Sequence, residues 1–458
     1  MNIDPSSYVD PNGRVYSAEG RIYRQISPVY EETARLLFSS GTVERLVCQG
    51  LLVETSISDV PDPHLILEHR PVSPPSYCVE WPFLLLKKAA ILTLRLSLEL
   101  LSHSMYLQDA HPWNIFFEGS RPVFIDFTSL VRAEARILWP AYQQFCQFFL
   151  FPLVLTSCGR GDIARLLLQD YLNGVGHRDV IRLLPLRFKA THFLFYLKRI
   201  LPEQLGEMVS QSDRASSRLA AASQRACAGN RHLDRNRRRL YEDLLHDVES
   251  LSPPQSATRW TAYYGQEAQA LDCKRELVDK VIKRLRPATV LDVGANTGEF
   301  SVLAAEAGAR VVALERDEAC AERLACRAED RNLPILPLIM DFANPTPAFG
   351  WAASQFPSAP ERFQAELVLA LALVHHLVFH QRQSFQRLLS GLRDHATSWL
   401  LIEFVEMADI YIRRWAVNTD RFAWYTRAGF EAALHEAFAT VESAGSVTAT
   451  RHLYLCRK

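Results

Sequence analysis

The spacing of apolar and polar residues divides the chain into two parts. In the second part, short apolar runs alternate with stretches whose apolar residues recur at helical spacing, as expected of alternating strands and helices. Fully apolar runs are typical of strands that are buried in a parallel sheet. The pattern predicts an α/β fold with a mostly parallel, seven-stranded sheet, made of Ala288–Asp292, Arg310–Glu315, Ile335–Met340, Glu366–Leu373, Trp399–Phe404 and closing strands near Ala439–Glu442 and His452–Cys456.

The first part has a different pattern, which predicts an α+β layer followed by a helical lobe. A long amphipathic helix is predicted at Trp81–His103, and the aromatic-rich stretch Trp139–Leu201 predicts buried helices. Ahead of them, strand-like segments surround one short helix: Gly20–Ile26, the helix Tyr30–Leu37, Gly50–Glu54 and His64–Glu68.

A stretch rich in serine and proline, residues 251–257, separates the two parts and has the composition of a linker. We therefore expect one domain at 1–250 and a second at 258–458. A helix at Ala268–Leu285 is predicted to lead into the first strand of the second domain.

Composition narrows the class of protein without assigning an activity. The 458 residues carry 51 basic and 51 acidic side chains, so no overall field attracts nucleic acid or anionic lipid. Nine scattered cysteines without a Cys-x-x-Cys pair favour reduced thiols and a cytoplasmic location. We expect no secretory signal, and prolines and glutamines within the uncharged run Ile137–Cys158 favour buried helices over a membrane span.

One turn between a strand and a helix has the features of a ligand site. The first predicted strand ends in Asp292, and Gly294 and Gly298 flank Asn296 before helical spacing resumes. A dinucleotide-binding turn has a glycine in place of Asn296 and holds pyrophosphate, which a nearby carboxylate would repel. A cofactor that carries an ammonium and a sulfonium suits the carboxylate better, so the turn predicts binding of S-adenosylmethionine.

Acidic residues also end the next two predicted strands. Glu315 can accept from both ribose hydroxyls, because adjacent hydroxyls both donate and one carboxylate has two oxygens. Asp341 can accept from the adenine amino group, and the ring of Phe342 can pack on the base. The series of acids at strand ends therefore predicts an adenosyl ligand. Aromatic residues just ahead of this domain either cover the cofactor or pack on a helix: Trp260, Tyr263 and Tyr264.

Two adjacent histidines, His375 and His376, follow the fourth predicted strand, where a doubly wound sheet places reacting groups. A histidine with a pKa near neutrality could take a proton from an acceptor hydroxyl or amine. Adjacent side chains do not readily face the same ligand, so one of the pair is expected to be structural. Methyl transfer can also proceed by proximity and alignment alone, so the assignment of a base stays open.

A second group of polar residues lies in the first part. Asp109 and Asn114 are five residues apart, and Asp126 ends a predicted strand twelve residues later. This spacing resembles the catalytic loop and the metal-binding Asp-Phe of protein kinases and small-molecule kinases. The resemblance implies that Asp109 orients an acceptor hydroxyl and that Asn114 and Asp126 hold Mg²⁺ on the phosphates of ATP.

The kinase pattern is incomplete in this chain. No glycine-rich loop precedes it, Arg24 stands roughly where the kinase lysine is expected, and Thr128 follows Asp-Phe in place of glycine. We expect a kinase-like domain that is either active or a degenerate scaffold. Turn capping by Asp109 and Asn114 is the structural alternative.

Eight longer segments, spread over nearly the whole chain, carry a resemblance: Leu291–Gly298, Asp341–Trp351, Leu371–Leu377, Ile402–Val405, Tyr425–Glu431, Glu80–Phe83, Leu107–Asn114 and Arg121–Asp126. Together they resemble the bacterial class I methyltransferases related to the rhizobial host-specific nodulation proteins. The resemblance implies a Rossmann-like methyltransferase domain and methyl transfer, without fixing the acceptor. Glu406 departs from the family pattern, in which proline follows Glu-Phe-Val.

These observations predict a methyltransferase that acts on an oxygen or nitrogen of a small molecule or glycan intermediate, with the oligomeric state open. A bifunctional kinase and methyltransferase, an RNA methyltransferase and a noncatalytic binding scaffold are the alternatives. The balanced charge disfavours nucleic acid, and the basic cluster that could bind RNA is equally typical of a solvated helix face. That cluster consists of Arg231, Arg235, Arg237, Arg238 and Arg239.

Overall fold

The computed structural model describes residues 2–8, 10–134, 138–191, 199, 233–254, 257–261, 268–415 and 420–458. The chain divides into two compact units. The first comprises 1–79, 83–117 and 121–255, and the second comprises 80–82, 118–120 and 256–458. Two short segments of the expected first domain therefore group with the second unit.

The first unit begins with a five-stranded antiparallel sheet in the order β1-β2-β3-β5-β4. Two helices follow β3, and the first has Pro28 at its opening turn, where proline loses no hydrogen bond. The elements are β1 (Asn2–Ile3), β2 (Gly13–Ala18), β3 (Arg21–Ile26), α1 (Pro28–Ser39), α2 (Thr42–Cys48), β4 (Thr55–Ile57) and β5 (Ile66–His69).

The helix and two of the strands predicted here are confirmed with shifted bounds, but the strand predicted at Gly50–Glu54 is wrong. Gly50 has a left-handed backbone and ends a helix, so the chain turns there, and Leu52 forms only an isolated bridge. Four elements, β1, β2, α2 and β4, were missed.

The rest of the first unit is built on the predicted long helix. That helix is confirmed, and it is apolar over most of its surface, so it is buried among the elements that follow it. They are α3 (Phe83–Leu101), β6 (Met105–Leu107), β7 (Ile115–Glu118), β8 (Arg121–Phe124), β9 (Leu130–Arg132), α4 (Tyr142–Phe145), a π-helical turn (Cys146–Leu150), α5 (Phe151–Ser157), α6 (Gly161–Leu167), α7 (His177–Leu183), α8 (Leu186–Thr191) and α9 (Leu233–Ser250).

The second unit is built on a seven-stranded sheet in the order β12-β11-β10-β13-β14-β16-β15. The five strands from β12 to β14 are parallel, and β16 is antiparallel to both of its neighbours. The strands are β10 (Thr289–Val293), β11 (Arg310–Glu315), β12 (Ile335–Ile339), β13 (Ala365–Ala370), β14 (Ala396–Val405), β15 (Thr440–Thr448) and β16 (Arg451–Arg457).

Helices alternate with these strands. They are α10 (Ala268–Leu285), α11 (Glu299–Glu306), α12 (Glu318–Asp330), α13 (Ala359–Arg362), α14 (Val374–Phe379), α15 (Phe385–His395), α16 (Ile410–Arg414) and α17 (Arg427–Ala437). The core joins apolar residues of α10 and α11, such as Ile282 and Val302, to strand residues such as Leu369 and Leu401. Consecutive parallel strands buried in this way need the crossover helices that the sequence pattern predicted.

Two further expectations concern the surface. In the part of the chain that the structure describes, no helix is long and apolar enough to cross a membrane. Of the basic cluster, Arg231 lies outside the described residues, and Arg237 is buried, where it bonds Asp234 and the carbonyl oxygens of Leu138 and Glu134. Its guanidinium therefore serves the packing of α9.

Candidate functional site

A cavity of about 480 Å³ lies at the carboxyl ends of the central strands of the second unit. The strand order reverses between β10 and β13, and open α/β sheets bind ligands at such a switch point. The volume suits a small-molecule ligand. Seven residues predicted from the sequence line this cavity, namely Trp260, Gly294, Asn296, Glu315, Asp341, Phe342 and His376.

The glycine turn after β10 forms one wall. Gly294 has φ 78° and Asn296 has φ 52°, so both adopt the left-handed conformation, which asparagine tolerates better than most residues. Asn296 donates its backbone N–H to Glu315 Oε2 at 2.7 Å, and its side-chain amide donates to the carbonyl oxygen of Trp260 at 3.0 Å. Asn296 thus occupies the position that is glycine in a dinucleotide-binding turn. Its side chain links this turn by a hydrogen bond to the segment that contains Trp260.

Glu315 ends β11 with its carboxylate at the cavity wall. Its oxygens accept the backbone N–H groups of Asn296 and Asp317, each at 2.7 Å. Burial raises the pKa of Glu315, and these hydrogen bonds oppose the rise. A carboxylate offers about four lone-pair positions, and the backbone donors do not occupy all of them, so the carboxylate can still accept from a hydroxyl group of a ligand.

Asp341 and its neighbours form the opposite wall. Its carboxylate accepts from the Gln381 amide at 3.0 and 3.1 Å and from Ala343 N–H at 3.0 Å, and it lies 3.4 Å from Arg316 Nη1. Gln381 also lines the cavity, and its Oε1 has no hydrogen-bond partner among the described residues. An acceptor without a partner beside a carboxylate suits an amino group, which has two hydrogens to donate.

Asp292 and Gly298, both predicted to bind the cofactor, are not part of the cavity wall. Asp292 is buried and accepts from Ser301 Oγ at 2.6 Å, and burial raises its pKa to about 6. Gly298 has φ 83°, and a Cβ atom there would overlap the side chain of Leu324. Packing of α11 against α12 therefore accounts for this glycine. The role of both residues towards a cofactor stays a prediction.

The two adjacent histidines have different surroundings. His376 lines the cavity, with its ring centroid 5.1 Å from that of Trp260 and 4.9 Å from that of Trp415. Burial, followed by the charges of His380 and Arg259, lowers the pKa of His376 to about 4. His375 is buried outside the wall, and its Nδ1 lacks a partner among the described residues. His376 is therefore neutral near pH 7 and can accept a proton.

The side chains of the wall that sequence reasoning missed include Arg259, Arg316, His380 and Gln381. The Arg259 guanidinium lies 4.5 Å from the Trp260 ring centroid and has no hydrogen bond or ion pair in the described chain. Its position next to the predicted aromatic residue was the only available signal. Tyr263 and Tyr264, which were predicted beside Trp260, lie outside the described residues.

In the first unit, the structure brings the kinase-like residues together. Asn114 Nδ2 lies 3.4 Å from Asp126 Oδ2, and Asp109 lies close enough to Asp126 for that charge, after burial, to raise its pKa. Ser129 Oγ accepts from Asp109 N–H at 3.0 Å, which fixes the loop. Spacing alone therefore identified a real cluster.

The same cluster contains a cation supplied by the chain. Arg24 Nη1 lies 2.8 Å from Asp126 Oδ1 and 3.1 Å from Asp10 Oδ2, and it also bonds Thr128. The Thr128 hydroxyl oxygen is 2.6 Å from Asp10 Oδ2 and 2.8 Å from Asp126 Oδ1. Arg24 is buried, so Asp126 is neutralised within the fold. The two departures from the kinase pattern thus pair with each other and with Asp126.

The strand order, with a cavity at its reversal, defines the second unit as a doubly wound α/β fold. The chain is 31% identical over 449 residues to nodulation protein NoeA of Rhizobium meliloti (strain 1021), and the alignment covers 94% of this chain and 90% of NoeA. The chain belongs to the family of that nodulation protein. No family model matches it.

Solved structures provide more distant likenesses. Magnesium protoporphyrin IX methyltransferase of Synechocystis PCC 6803, crystallised with bound SAH, is 15% identical, with a TM-score of 0.30, over 44% of this chain and 93% of that one. The bifunctional kinase-methyltransferase WbdD is 18% identical, also with a TM-score of 0.30, over 46% of this chain and 44% of that one. At these TM-scores, neither likeness bears on the activity of the chain.

Proposed function

We propose that the second unit is a class I methyltransferase that uses S-adenosylmethionine to methylate an oxygen or nitrogen of a small molecule or glycan intermediate. The observation that carries the proposal is that Glu315 and Asp341 line the same cavity at the switch point of the sheet. A cytoplasmic location is part of the proposal, as expected from the scattered thiols.

The residues present fit this cofactor. Glu315 keeps lone pairs for the two ribose hydroxyls, and Asp341 with Gln381 Oε1 offers acceptors for the adenine amino group. Phe342 supplies an aromatic face in the same wall. Arg259, which has no ion pair in the described chain, supplies the positive charge that an α-carboxylate needs.

When bound, the cofactor supplies an electrophilic methyl group. The side chains of the unit align the acceptor and exclude water at the strand ends. His376 is neutral and lines the cavity, so it can hold a proton lost by a hydroxyl or amine, although its lowered pKa makes it a weak base. His375 is buried behind it and supports its position.

A second function, phosphoryl transfer by the first unit, has less support. Asp109, Asn114 and Asp126 lie together, but Arg24 and Thr128 already bond the carboxylate that would hold Mg²⁺. A divalent ion bound to Asp126 Oδ1 would have to displace a buried guanidinium. We therefore propose that the first unit is a kinase-like scaffold rather than an active kinase, and the buried Arg237 weakens the RNA alternative.

Two measurements test the main proposal. Calorimetric titration of the full chain with S-adenosylmethionine should show binding, and the absence of binding would contradict it. Incubation of cell extract with the protein and methyl-labelled cofactor, followed by mass spectrometry, should identify the acceptor. Titration with ATP and Mg²⁺ should show no binding, and a measurable affinity would restore the bifunctional alternative.

A further inference from the structure

A buried ion pair lies directly behind the cavity of the second unit. Lys274 of α10 and Glu403 of β14 approach to 2.7 Å, and their side chains are 6% and 0% exposed. Neither belongs to the cavity wall. Burying two charges is costly, and apolar replacements of such pairs are often as stable or more stable. Stability alone therefore does not account for the pair.

The pair reaches the cavity through one backbone hydrogen bond. Glu403 Oε2 accepts from Ala372 N–H at 2.8 Å, and Ala372 belongs to the wall. Ala372 has φ 51°, a left-handed conformation that is unfavourable for a residue with a Cβ atom. A hydrogen bond to a charged, buried acceptor is stronger than one between neutral groups. The bond to Glu403 thus offsets the strain at Ala372.

The carboxylate of Glu403 also uses only one of its two oxygen atoms in hydrogen bonds among the described residues. Its second oxygen, Oε1, is buried without a hydrogen-bond partner among the described residues. A carboxylate placed only to stabilise the core would gain by pairing both oxygens. Its placement is instead explained by the single contact to Ala372.

The strained turn connects β13 to α14 and positions two parts of the wall. Leu373 follows Ala372 and faces the glycine turn. Its Cδ1 atom lies 3.4 Å from the point that a Cβ atom would occupy if Gly294 were replaced. Helix α14 begins at Val374 and carries His376. A change in the backbone at Ala372 would therefore alter the cavity at both the glycine turn and the candidate base.

We propose that Glu403, held by Lys274, is a positioning residue that keeps Ala372 in its left-handed conformation and so sets the shape of the cofactor cavity. This inference rests on the proposed function, because it assigns the cavity to S-adenosylmethionine. It adds two residues that do not touch the cofactor and a strained turn through which they act.

The test compares neutral replacements of the pair, because removing one charge alone would leave the other buried and unpaired. In Lys274→Met/Glu403→Leu, the acceptor for Ala372 N–H is lost, and we expect affinity for S-adenosylmethionine to fall about tenfold, or about 1.4 kcal/mol. Lys274→Met/Glu403→Gln keeps a carbonyl oxygen there and should stay within about threefold of wild type, a difference of about 0.7 kcal/mol. Equal losses in both variants would overturn the proposal.

Rescue by glycine distinguishes positioning from packing. Adding Ala372→Gly to Lys274→Met/Glu403→Leu should restore most of the lost affinity, because glycine adopts the left-handed conformation without a bound acceptor. Ala372→Gly alone measures the effect of the missing methyl group. The absence of any recovery would contradict the proposal. The matched control is Glu80→Leu/Arg362→Met, which removes another buried pair, ahead of the amino end of β13, and should leave affinity unchanged.

A readout in the free protein separates this inference from the proposed function. Hydrogen exchange at Ala372 N–H should be faster in Lys274→Met/Glu403→Leu than in wild type, and unchanged in the Glu80→Leu/Arg362→Met control. If wild type fails to bind S-adenosylmethionine, the proposed function is wrong, and unchanged exchange at Ala372 would contradict the positioning role by itself.

Discussion

The two units contain similar acidic residues in different electrostatic surroundings. In the first unit, Asp10 and Asp126 share the buried guanidinium of Arg24. In the second unit, Glu315 and Asp341 face a cavity, and backbone N–H groups donate the hydrogen bonds that hold Glu315. Backbone donors orient a carboxylate but leave its charge and some lone pairs available, whereas a buried arginine neutralises it. Acids at strand ends therefore indicate a ligand site only when the chain does not bury a counter-ion against them, and Arg316, which lies 3.4 Å from Asp341, is 72% exposed.

The largest expected effect is on stability, and it comes from the buried cluster of Arg24, Asp10 and Asp126 in the first unit. Arg24→Ala should lower the free energy of unfolding by about 3–5 kcal/mol, because it leaves two carboxylates without their cation. Denaturant titration measures the change. Arg21→Ala removes an exposed ion pair from the same strand and should cost less than about 1 kcal/mol. Equal losses for the two variants would mean that Arg24 does not neutralise the cluster.

Addition of Mg²⁺ tests whether Arg24 occupies the place of a metal ion in the first unit. Once Arg24 is removed, Asp126 and Asn114 present oxygen atoms that suit this ion. Millimolar Mg²⁺ should raise the unfolding midpoint of Arg24→Ala and leave that of wild type unchanged. Stabilisation of wild type by Mg²⁺ would instead mean that the first unit retains an open metal site.

The next effect concerns Asp292, whose pKa burial raises from 3.8 to about 6. A carboxyl group with a raised folded-state pKa takes up a proton on folding. The contribution of Asp292 to the free energy of unfolding is therefore complete below about pH 4 and is lost as the pH rises through about 6. Relative to Asp292→Asn, wild type should lose roughly 3 kcal/mol of stability across this window. Parallel pH curves for the two proteins would contradict the raised pKa.

Glu315 should have a clear effect on cofactor binding. Glu315→Ala removes the proposed ribose acceptor and should weaken S-adenosylmethionine about 30-fold, or about 2 kcal/mol. Calorimetry checks the affinity. Glu366→Ala, at the one exposed position of β13, is the control and should bind as wild type does. Unchanged affinity in Glu315→Ala would remove the ribose assignment.

The smallest expected effect is that of Arg259. Arg259→Gln should weaken S-adenosylmethionine about tenfold, because the α-carboxylate loses its cation, but should not affect 5′-methylthioadenosine, which has no carboxylate. Arg316→Gln, another arginine of the wall, tests whether any loss of positive charge suffices. Equal weakening of both ligands by Arg259→Gln would assign Arg259 to the adenosyl part instead.

The sequence predicted the parallel strands and the positions of their acidic ends, because hydrophobic spacing and strand-end chemistry are local signals. It could not predict that Arg24 would pair with Asp126, since the partners are far apart in the chain and Asp10 carries no motif. The link from Glu403 to Ala372 was hidden for the same reason, because a left-handed alanine leaves no mark in composition. Residues in contact across strands escape a local pattern.

Packing explains Gly298, so this glycine in a sequence does not by itself indicate that the protein binds a ligand. Its conformation and the nearby Leu324 side chain require glycine whether or not a ligand is present. A descendant that had lost catalysis would keep this glycine for as long as it kept the two helices. The last glycine of the motif is therefore a marker of architecture, and an engineer who wishes to abolish binding without unfolding the protein should begin at Glu315.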